Sequence, residues 1–301
     1  MYELNNNRDC LFYCIEQICN NFEGNYEMVL LAGWKFGYEE GKTIGESLEY
    51  GNIDNIQRIG KLLYKYHKIK MKLRQYSNVD VIDDYMKMGI PVVLRCDTYW
   101  CEWLPYYNKQ HGKHSLLVQK KDCVGYFFED QFCDEARKID KDFIEKHCFE
   151  IIAFIKDAEA PQVGISSYQE EIKRCADFYE VNKGGTQHKQ FIYDLVHSFS
   201  IENEIEGKDI LQSAFIKHLS FLAEDRKSMI LGIQYIQLIT KSTYEIIIQK
   251  LHELVNAYNE LKIYIIKCCY INKFDRSAEF VGICEKIQEL EQTVQSLLKE
   301  Q

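Results

Sequence analysis

The chain has 301 residues, 46% of them hydrophobic and 28% charged, which is typical of a globular protein that buries its core without disulfides or metals. Its formal net charge of -9 at pH 7 argues against nucleic acid as a general partner. The sequence shows no basic, apolar leader and no apolar run of membrane-spanning length, so we expect a cytoplasmic protein, without membrane association, whose 12 cysteines are mostly reduced core residues.

The chain before residue 156 mixes two periodicities. Apolar residues at helical spacing predict helices over 9–22, 54–66 and 79–88. Alternating or short apolar runs predict strands over 68–76, 91–97, 114–119, 124–130 and 149–155. Of these, HSLLVQ and VGYFFED are separated only by KKDC, which favours a β-hairpin. The predicted class of this part is therefore α+β.

The second part of the chain has only helical patterns. The segment DAEAPQVG, residues 157–164, contains one of the 3 prolines and fits neither pattern, so it is predicted to be a linker. Periodic segments then predict helices over 168–181, 187–199, 207–223, 225–271 with room for one break, and 275–300. We therefore predict an α+β domain over 1–156, a linker over 157–164 and an all-α domain over 165–301.

Cys10 lies where a cysteine can become nucleophilic. Asp9 is a good N-cap for the first predicted helix, which places Cys10 at the helix N-terminus. Unpaired N–H groups and the positive end of the helix dipole favour a thiolate there. The alternative is that Cys10 is a small apolar residue of an ordinary helix, and this stretch alone favours that alternative.

His114 and Asp130 are candidate partners of this cysteine. A nucleophilic cysteine needs a base, and a further group to orient that base. His114 begins one strand of the predicted hairpin and Asp130 ends the other, so the two side chains can be neighbours. Taken singly, each is more simply explained as structural, a partly buried strand histidine and a turn residue. Together they predict a triad of nucleophile, base and orienting acid: Cys10, His114 and Asp130. The candidate oxyanion donors, besides the Cys10 N–H, are Asn5, Asn6 and Asn7.

The order of these residues resembles papain-like cysteine enzymes of the C39 peptidase type, and more closely the BtrH N-terminal family, named for a butirosin biosynthesis protein. Four segments carry the resemblance: DCLFYCIEQICNNF (9–22), LLAGWKFGYEEG (30–41), MGIPVVLRCDTYWCEWLP (88–105) and HSLLVQKKDCVGYFFED (114–130). The helical second half is similar to the region that follows this domain in the family. The chain departs from the papain-like pattern at Leu4 and Leu11, where a glutamine and a glycine are usual.

This resemblance implies a papain-like fold for residues 1–156 and an acyltransferase or thioesterase of natural-product biosynthesis. The implied donor is an acyl or peptidyl carrier protein, whose phosphopantetheine arm presents the thioester, with no cofactor bound directly. The implied acceptor is a small amine-bearing molecule or water. In this resemblance Cys10 is the nucleophile, His114 the base and Asp130 the orienting acid. Two alternatives stay open: a cysteine peptidase or amide hydrolase with the same triad, and a noncatalytic scaffold module in which Cys10 is inert.

The substrate-binding candidates lie in an aromatic segment that could line a channel for the donor arm. They are Asp97, Tyr99, Trp100, Trp103 and Tyr106. Asp97 matches an aspartate often present in the family, and an aspartate that ends a strand and caps the next turn is an equally good explanation. An acidic carrier protein would need a basic patch, for which the candidates are Lys109, Lys113, Lys120 and Lys121. A solvated hairpin end explains these lysines equally simply.

Other patterns give weaker hypotheses. Four residues are spaced C-x4-C-x9-H-x2-H, outside the usual zinc ranges, so no metal is predicted at Cys96, Cys101, His111 and His114. Cys14 lies one helical turn after Cys10 and is interpreted as a core residue. The final segment has a narrow apolar stripe formed by Ile287, Leu290, Val294 and Leu297. This stripe predicts pairing with another helix of the same chain, or a homodimer through the C-terminal helices.

Overall fold

The computed structural model describes residues 10–51, 55–75, 78–109, 111–133, 135–160, 162–205, 210–271 and 273–301. Its helices are α1 (Cys10–Asn21), α2 (Ile44–Tyr50), α3 (Ile56–His67), α4 (Val79–Lys87), α5 (Lys141–His147), α6 (Ile165–Val181), α7 (Gly184–Ser198), α8 (Ile201–Ile205), α9 (Ala214–Thr240), α10 (Glu245–Tyr270) and α11 (Ala278–Lys299). Its strands are β1 (Ile69–Gln75), β2 (Val92–Asp97), β3 (Lys113–Lys121), β4 (Tyr126–Glu129), β5 (Arg137–Ile139) and β6 (Cys148–Lys156). Short 3₁₀ helices cover Glu27–Gly33, Thr98–Trp100 and Ile210–Gln212.

The six strands form one antiparallel sheet in the order β1-β6-β2-β3-β4-β5. Five of the six residues of β2, VVLRCD, are buried and four of the six are apolar, which suits its place between β6 and β3. The edge strand β1 instead alternates with exposed Lys70, Lys72 and Arg74, and such charged residues discourage pairing with another chain. The predicted hairpin is confirmed as β3 and β4, and the predicted α+β class is confirmed.

The described residues divide into two compact units, of which the first comprises 10–26 and 60–162. It contains the sheet, with α4 and α5 packed against β2. Val92 and Leu94 of β2 share one core with Leu116 and Val118 of β3, where Ile82 of α4 is also buried. Helix α1 packs against β3, and this contact brings the start of α1 to the sheet.

The second unit comprises residues 27–59 and 163–301 and is helical throughout its described part. Helix α9 contacts α2, α6, α10 and the 3₁₀ helix Glu27–Gly33. The backbones approach closely here, because a side chain at Gly33 would lie 2.4 Å from the carbonyl oxygen of Asp225. Helix α11 contacts α6, α7 and α10, and this packing buries Ile287 and Val294 of the apolar stripe within the chain.

A buried ion pair lies inside the helical unit. Arg226 of α9 and Glu291 of α11 lie 2.7 Å apart, with side chains 0% and 2% exposed. The guanidinium also donates to the carbonyl oxygens of Gly33 and Lys35, at 3.0 Å each, and stacks over Trp34 at 4.5 Å. These contacts fix the segment after the first 3₁₀ helix against α9 and α11.

The structure differs from the sequence expectation in where two divisions fall. Helix α9 continues through the predicted end at residue 223 to Thr240, and the chain then turns at Lys241, which has a φ of 58°. Residues 27–59, predicted to belong with 1–156, instead group with the C-terminal helices. Their apolar side chains, including Leu30, Trp34 and Phe36, are buried. No described helix is both long and apolar enough to cross a membrane.

Candidate active site

His114 and Asp130 meet at one end of the β3–β4 hairpin. His114 lies near the start of β3, opposite Cys96 of β2, and Asp130 directly follows β4. The two side chains are in contact, with His114 Nε2 2.6 Å from Asp130 Oδ2, and they are 4% and 0% exposed. The hairpin topology thus brings together the two residues that the sequence order suggested as base and orienting acid.

Three donors surround the Asp130 carboxylate. Oδ2 accepts from His114 Nε2 and from the indole Nε1 of Trp103 at 2.7 Å, and Oδ1 accepts from the backbone N–H of Phe132 at 3.0 Å. Burial alone would raise the pKa of Asp130, but these hydrogen bonds and the charge of His114 outweigh it and lower the pKa. Asp130 is therefore ionised although water does not reach it.

Cys10 is the second partner of His114. It is the first residue of α1, is half-buried, and its side chain lies within hydrogen-bonding range of the imidazole. Because Asp130 occupies Nε2, the ring nitrogen left for the thiol is Nδ1. Burial opposes protonation of His114, yet the contacts with Asp130 and Cys10 raise its pKa to about 10. The ring is thus an imidazolium at neutral pH, held between the Asp130 carboxylate and the sulfur of Cys10.

The predicted surroundings of Cys10 are only partly described. Asn5, Asn6, Asn7 and the expected N-cap Asp9 lie outside the described residues. Cys14, one turn further along α1, is completely buried, as expected of a core residue.

The Asp97 carboxylate makes three contacts within the loop that precedes β3. Its Oδ1 accepts from the backbone N–H groups of Tyr99 and Gly112, at 3.1 Å each, and its Oδ2 lies 2.6 Å from His111 Nδ1. Burial would raise the pKa of Asp97, but the bond to His111 and the two backbone bonds lower it. These contacts are those of a capping residue, which is the structural alternative to a substrate contact.

The aromatic candidates divide into two groups. Tyr99 stacks on His111 at 4.4 Å, and Trp100, 41% exposed, stacks on His147 at 4.4 Å. Trp103 and Tyr106 instead pack against the apolar core of the first unit. Of the four side chains, Trp100 is therefore the most exposed and the most accessible to a ligand, whereas the indole N–H of Trp103 donates to Asp130.

The zinc-like spacing does not produce a common site. Cys96 and Cys101 lie with their sulfurs 3.5 Å apart, but His111 contacts Asp97 and His114 contacts Asp130. Among the residues that the structure describes, no three histidine, cysteine or carboxylate side chains are grouped so as to hold a metal ion. In the candidate basic patch, Lys121 is paired with Asp83 at 2.6 Å, which reduces its attraction for an acidic partner.

Two features of the site were not predicted from the sequence. Phe132 lies with its ring 5.8 Å from that of His114 and is 46% exposed, so it stands beside the imidazole at the surface. Its backbone bond to Asp130 is an Asx turn, which the sequence Asp-Gln-Phe permits but does not require. The indole bond of Trp103 to Asp130 has no local signal, because the two residues belong to different loops.

No protein-family model matches this chain, and no curated protein does either.

Proposed function

We propose that this chain is a cysteine-dependent acyltransferase or thioesterase with Cys10 as nucleophile. One observation carries the proposal: a single buried imidazole, His114, contacts both the ionised Asp130 and the side chain of Cys10. An imidazolium beside a thiol stabilises the thiolate, which is the nucleophilic form. A cysteine that served only as a core residue would need neither partner.

The reaction proceeds in two halves. The Cys10 thiolate attacks the thioester carbonyl, and the tetrahedral intermediate collapses by breaking the bond to the donor sulfur. The donor leaves as a thiolate and takes a proton from His114, which becomes neutral. His114 then accepts a proton from the incoming amine or water, whose attack on the acyl-enzyme releases the product and restores the Cys10 thiolate beside the imidazolium. Asp130 holds the ring in orientation throughout and does not itself take the proton.

The donor and acceptor come from the family resemblance. We infer a papain-like arrangement of the BtrH type for the first part of the chain, an acyl or peptidyl carrier protein as donor, and a small amine or water as acceptor. Thioester exchange onto a thiolate is nearly isoenergetic, so a thioester donor suits this nucleophile. The resemblance implies natural-product biosynthesis, and we propose that the protein acts there in the cytoplasm, where its cysteines, none of which forms a disulfide in the described part of the chain, stay reduced.

The proposal is tested by intact-protein mass spectrometry after brief incubation with a panel of pantetheine thioesters and no acceptor. The expected result is a mass gain equal to one acyl group in the wild type and in Cys14→Ala, and none in Cys10→Ala. Cys14→Ala is the matched control because it removes a thiol from the same helix. Absence of an adduct over the whole panel, together with absence of thioester hydrolysis, would contradict the proposal and favour the noncatalytic scaffold. Cleavage of peptides together with absence of thioester adducts would favour the peptidase.

A further inference from the structure

Trp103 lies in the loop before β3, and its side chain reaches the Asp130 carboxylate. Its indole Nε1 donates to Asp130 Oδ2 at 2.7 Å, the same oxygen that His114 Nε2 contacts at 2.6 Å. Its ring packs against Phe128 of β4 at 4.7 Å and Phe143 of α5 at 5.8 Å. Packing against the sheet and α5 therefore holds the indole with its N–H directed at the Asp130 carboxylate.

The carboxylate needs this donor because it is buried. Burial is the strongest single influence on Asp130 and favours the neutral acid, so the charge persists only through its donors. The indole is one of three donors to this carboxylate, and it shares Oδ2 with His114. Removing the indole N–H leaves Oδ2 with His114 alone, so the carboxylate is less firmly oriented and loses one of the bonds that stabilise its charge. A less firmly held Asp130 stabilises the imidazolium less, and a weaker imidazolium stabilises a thiolate at Cys10 less.

We propose that Trp103 is a positioning residue, which holds Oδ2 of Asp130 towards His114 and thereby influences the reactivity of Cys10. This inference rests on the proposed function, because it assigns a role within the same site. It also changes the role expected for Trp103, from lining a substrate channel to supporting the acid behind the imidazole.

The test compares Trp103→Phe with Trp34→Phe in the full-length protein. Phenylalanine keeps an aromatic ring and removes the N–H. Trp34 is the matched control, since it also loses a buried indole hydrogen bond, to Gln295 at 3.0 Å, but in the helical unit. The rate of alkylation of Cys10 by iodoacetamide is followed from pH 4 to 9 by peptide mass mapping, which separates Cys10 from the other cysteines. We expect Trp103→Phe to lower the rate at neutral pH by about tenfold or more and to move its acidic limb to higher pH, with Trp34→Phe unchanged.

A second measurement keeps the inference testable if Trp103→Phe does not fold. In wild-type protein labelled with ¹⁵N-tryptophan, the Trp103 indole signal should be protected from solvent exchange and should shift in Asp130→Asn. A folded Trp103→Phe with the wild-type rate and pH profile would overturn the inference alone. A Trp103 indole signal that exchanges freely with solvent and does not shift in Asp130→Asn would also overturn the inference alone. Slow alkylation of Cys10 in the wild type itself, without a pH-dependent rise below neutral pH, would instead overturn the proposed function and the inference with it.

Discussion

The charges of His114 and Asp130 are buried together, and at the residue scale this is the feature that needs a physical explanation. Removing two ions from water costs free energy that their attraction offsets only when further hydrogen bonds complete the pair. Here the carboxylate has two additional donors, and the imidazolium has Cys10 as its second partner. The arrangement is therefore stable only with every member present, which is also what the proposed chemistry requires of the site.

The first prediction concerns the pH dependence of stability. The raised pKa of His114 contributes stability that is complete below its ordinary value of 6.5 and is lost as the pH rises through about 10. The lowered pKa of Asp130 contributes stability that is present above its ordinary value of 3.8 and is lost as the pH falls. The difference in unfolding free energy between the wild type and His114→Gln should therefore be largest between pH 3.8 and pH 6.5. It should decrease by roughly 2–3 kcal/mol between pH 6.5 and pH 9.

The measurement is urea unfolding of both proteins, followed by pulsed alkylation of Cys96, which is fully buried in the first unit. Its exposure reports the unfolding of the sheet that carries the site. A stability difference that does not change over this pH range would contradict the assignment of the charged pair.

The site could be anticipated from sequence only where it depends on local pattern. A hairpin places the start of one strand beside the end of the next, so the order of the residues along the chain predicts that His114 and Asp130 are neighbours if their side chains lie on the same face. The contact of Trp103 with Asp130 depends on how a loop folds over the sheet, and no periodicity encodes it. Asp97 illustrates the opposite case, because both its capping and its binding interpretation fit the sequence, and the structure supplies the capping contacts together with a contact to His111.

At the element scale, the regular segments follow from periodicity and the irregular ones do not. Alternation predicted β1 and the short apolar run predicted β2, although Leu73 of β1, which alternation would bury, is 39% exposed. The short strand β5 was missed because RKI has only one buried apolar residue. The end of α9 was misplaced because its apolar residues continue past residue 223, and it is a turn at Lys241 that ends the helix.

The second prediction concerns the ion pair between α9 and α11. Arg226→Met leaves Glu291 buried without its counter-charge, so the helical unit should lose about 3–5 kcal/mol of unfolding free energy. The double variant Arg226→Met, Glu291→Leu removes both charges and should recover part of that loss, while the carbonyl oxygens of Gly33 and Lys35 stay without their donor in both variants. Urea unfolding followed by exposure of the buried Cys284 in α11 measures both. Equal stability of the single and double variants would contradict a role for charge pairing.

The interleaving of the two units is the main feature at the scale of the whole molecule. The chain leaves the first unit after residue 26, contributes residues 27–59 to the helical unit, and returns to the first within α3. A boundary near residue 160 was recognisable from its loss of periodicity. The assignment of residues 27–59 to the helical unit could not be recognised in the same way. An apolar segment such as MVLLAG indicates that it will be buried, but it does not indicate which part of the chain will cover it.

The third prediction follows from this excursion. A fragment of residues 1–156 should not fold independently, because Leu30, Leu31, Trp34 and Phe36 are buried in the helical unit of the full chain. We expect the fragment to aggregate or to bind the dye ANS strongly, whereas the full chain should do neither. A monomeric fragment that unfolds cooperatively and does not bind ANS would contradict the interleaved arrangement.

The most direct test of the central claim is an NMR titration of the His114 ring, with its signals assigned by loss in His114→Gln. The account predicts an imidazolium through neutral pH that titrates near pH 10, and a lower titration point in Cys10→Ala, because that variant loses one of the two contacts that raise the pKa. A ring that titrates near 6.5 in the wild type and is indifferent to Cys10→Ala would contradict the account, since His114 would then not share a charged site with Cys10.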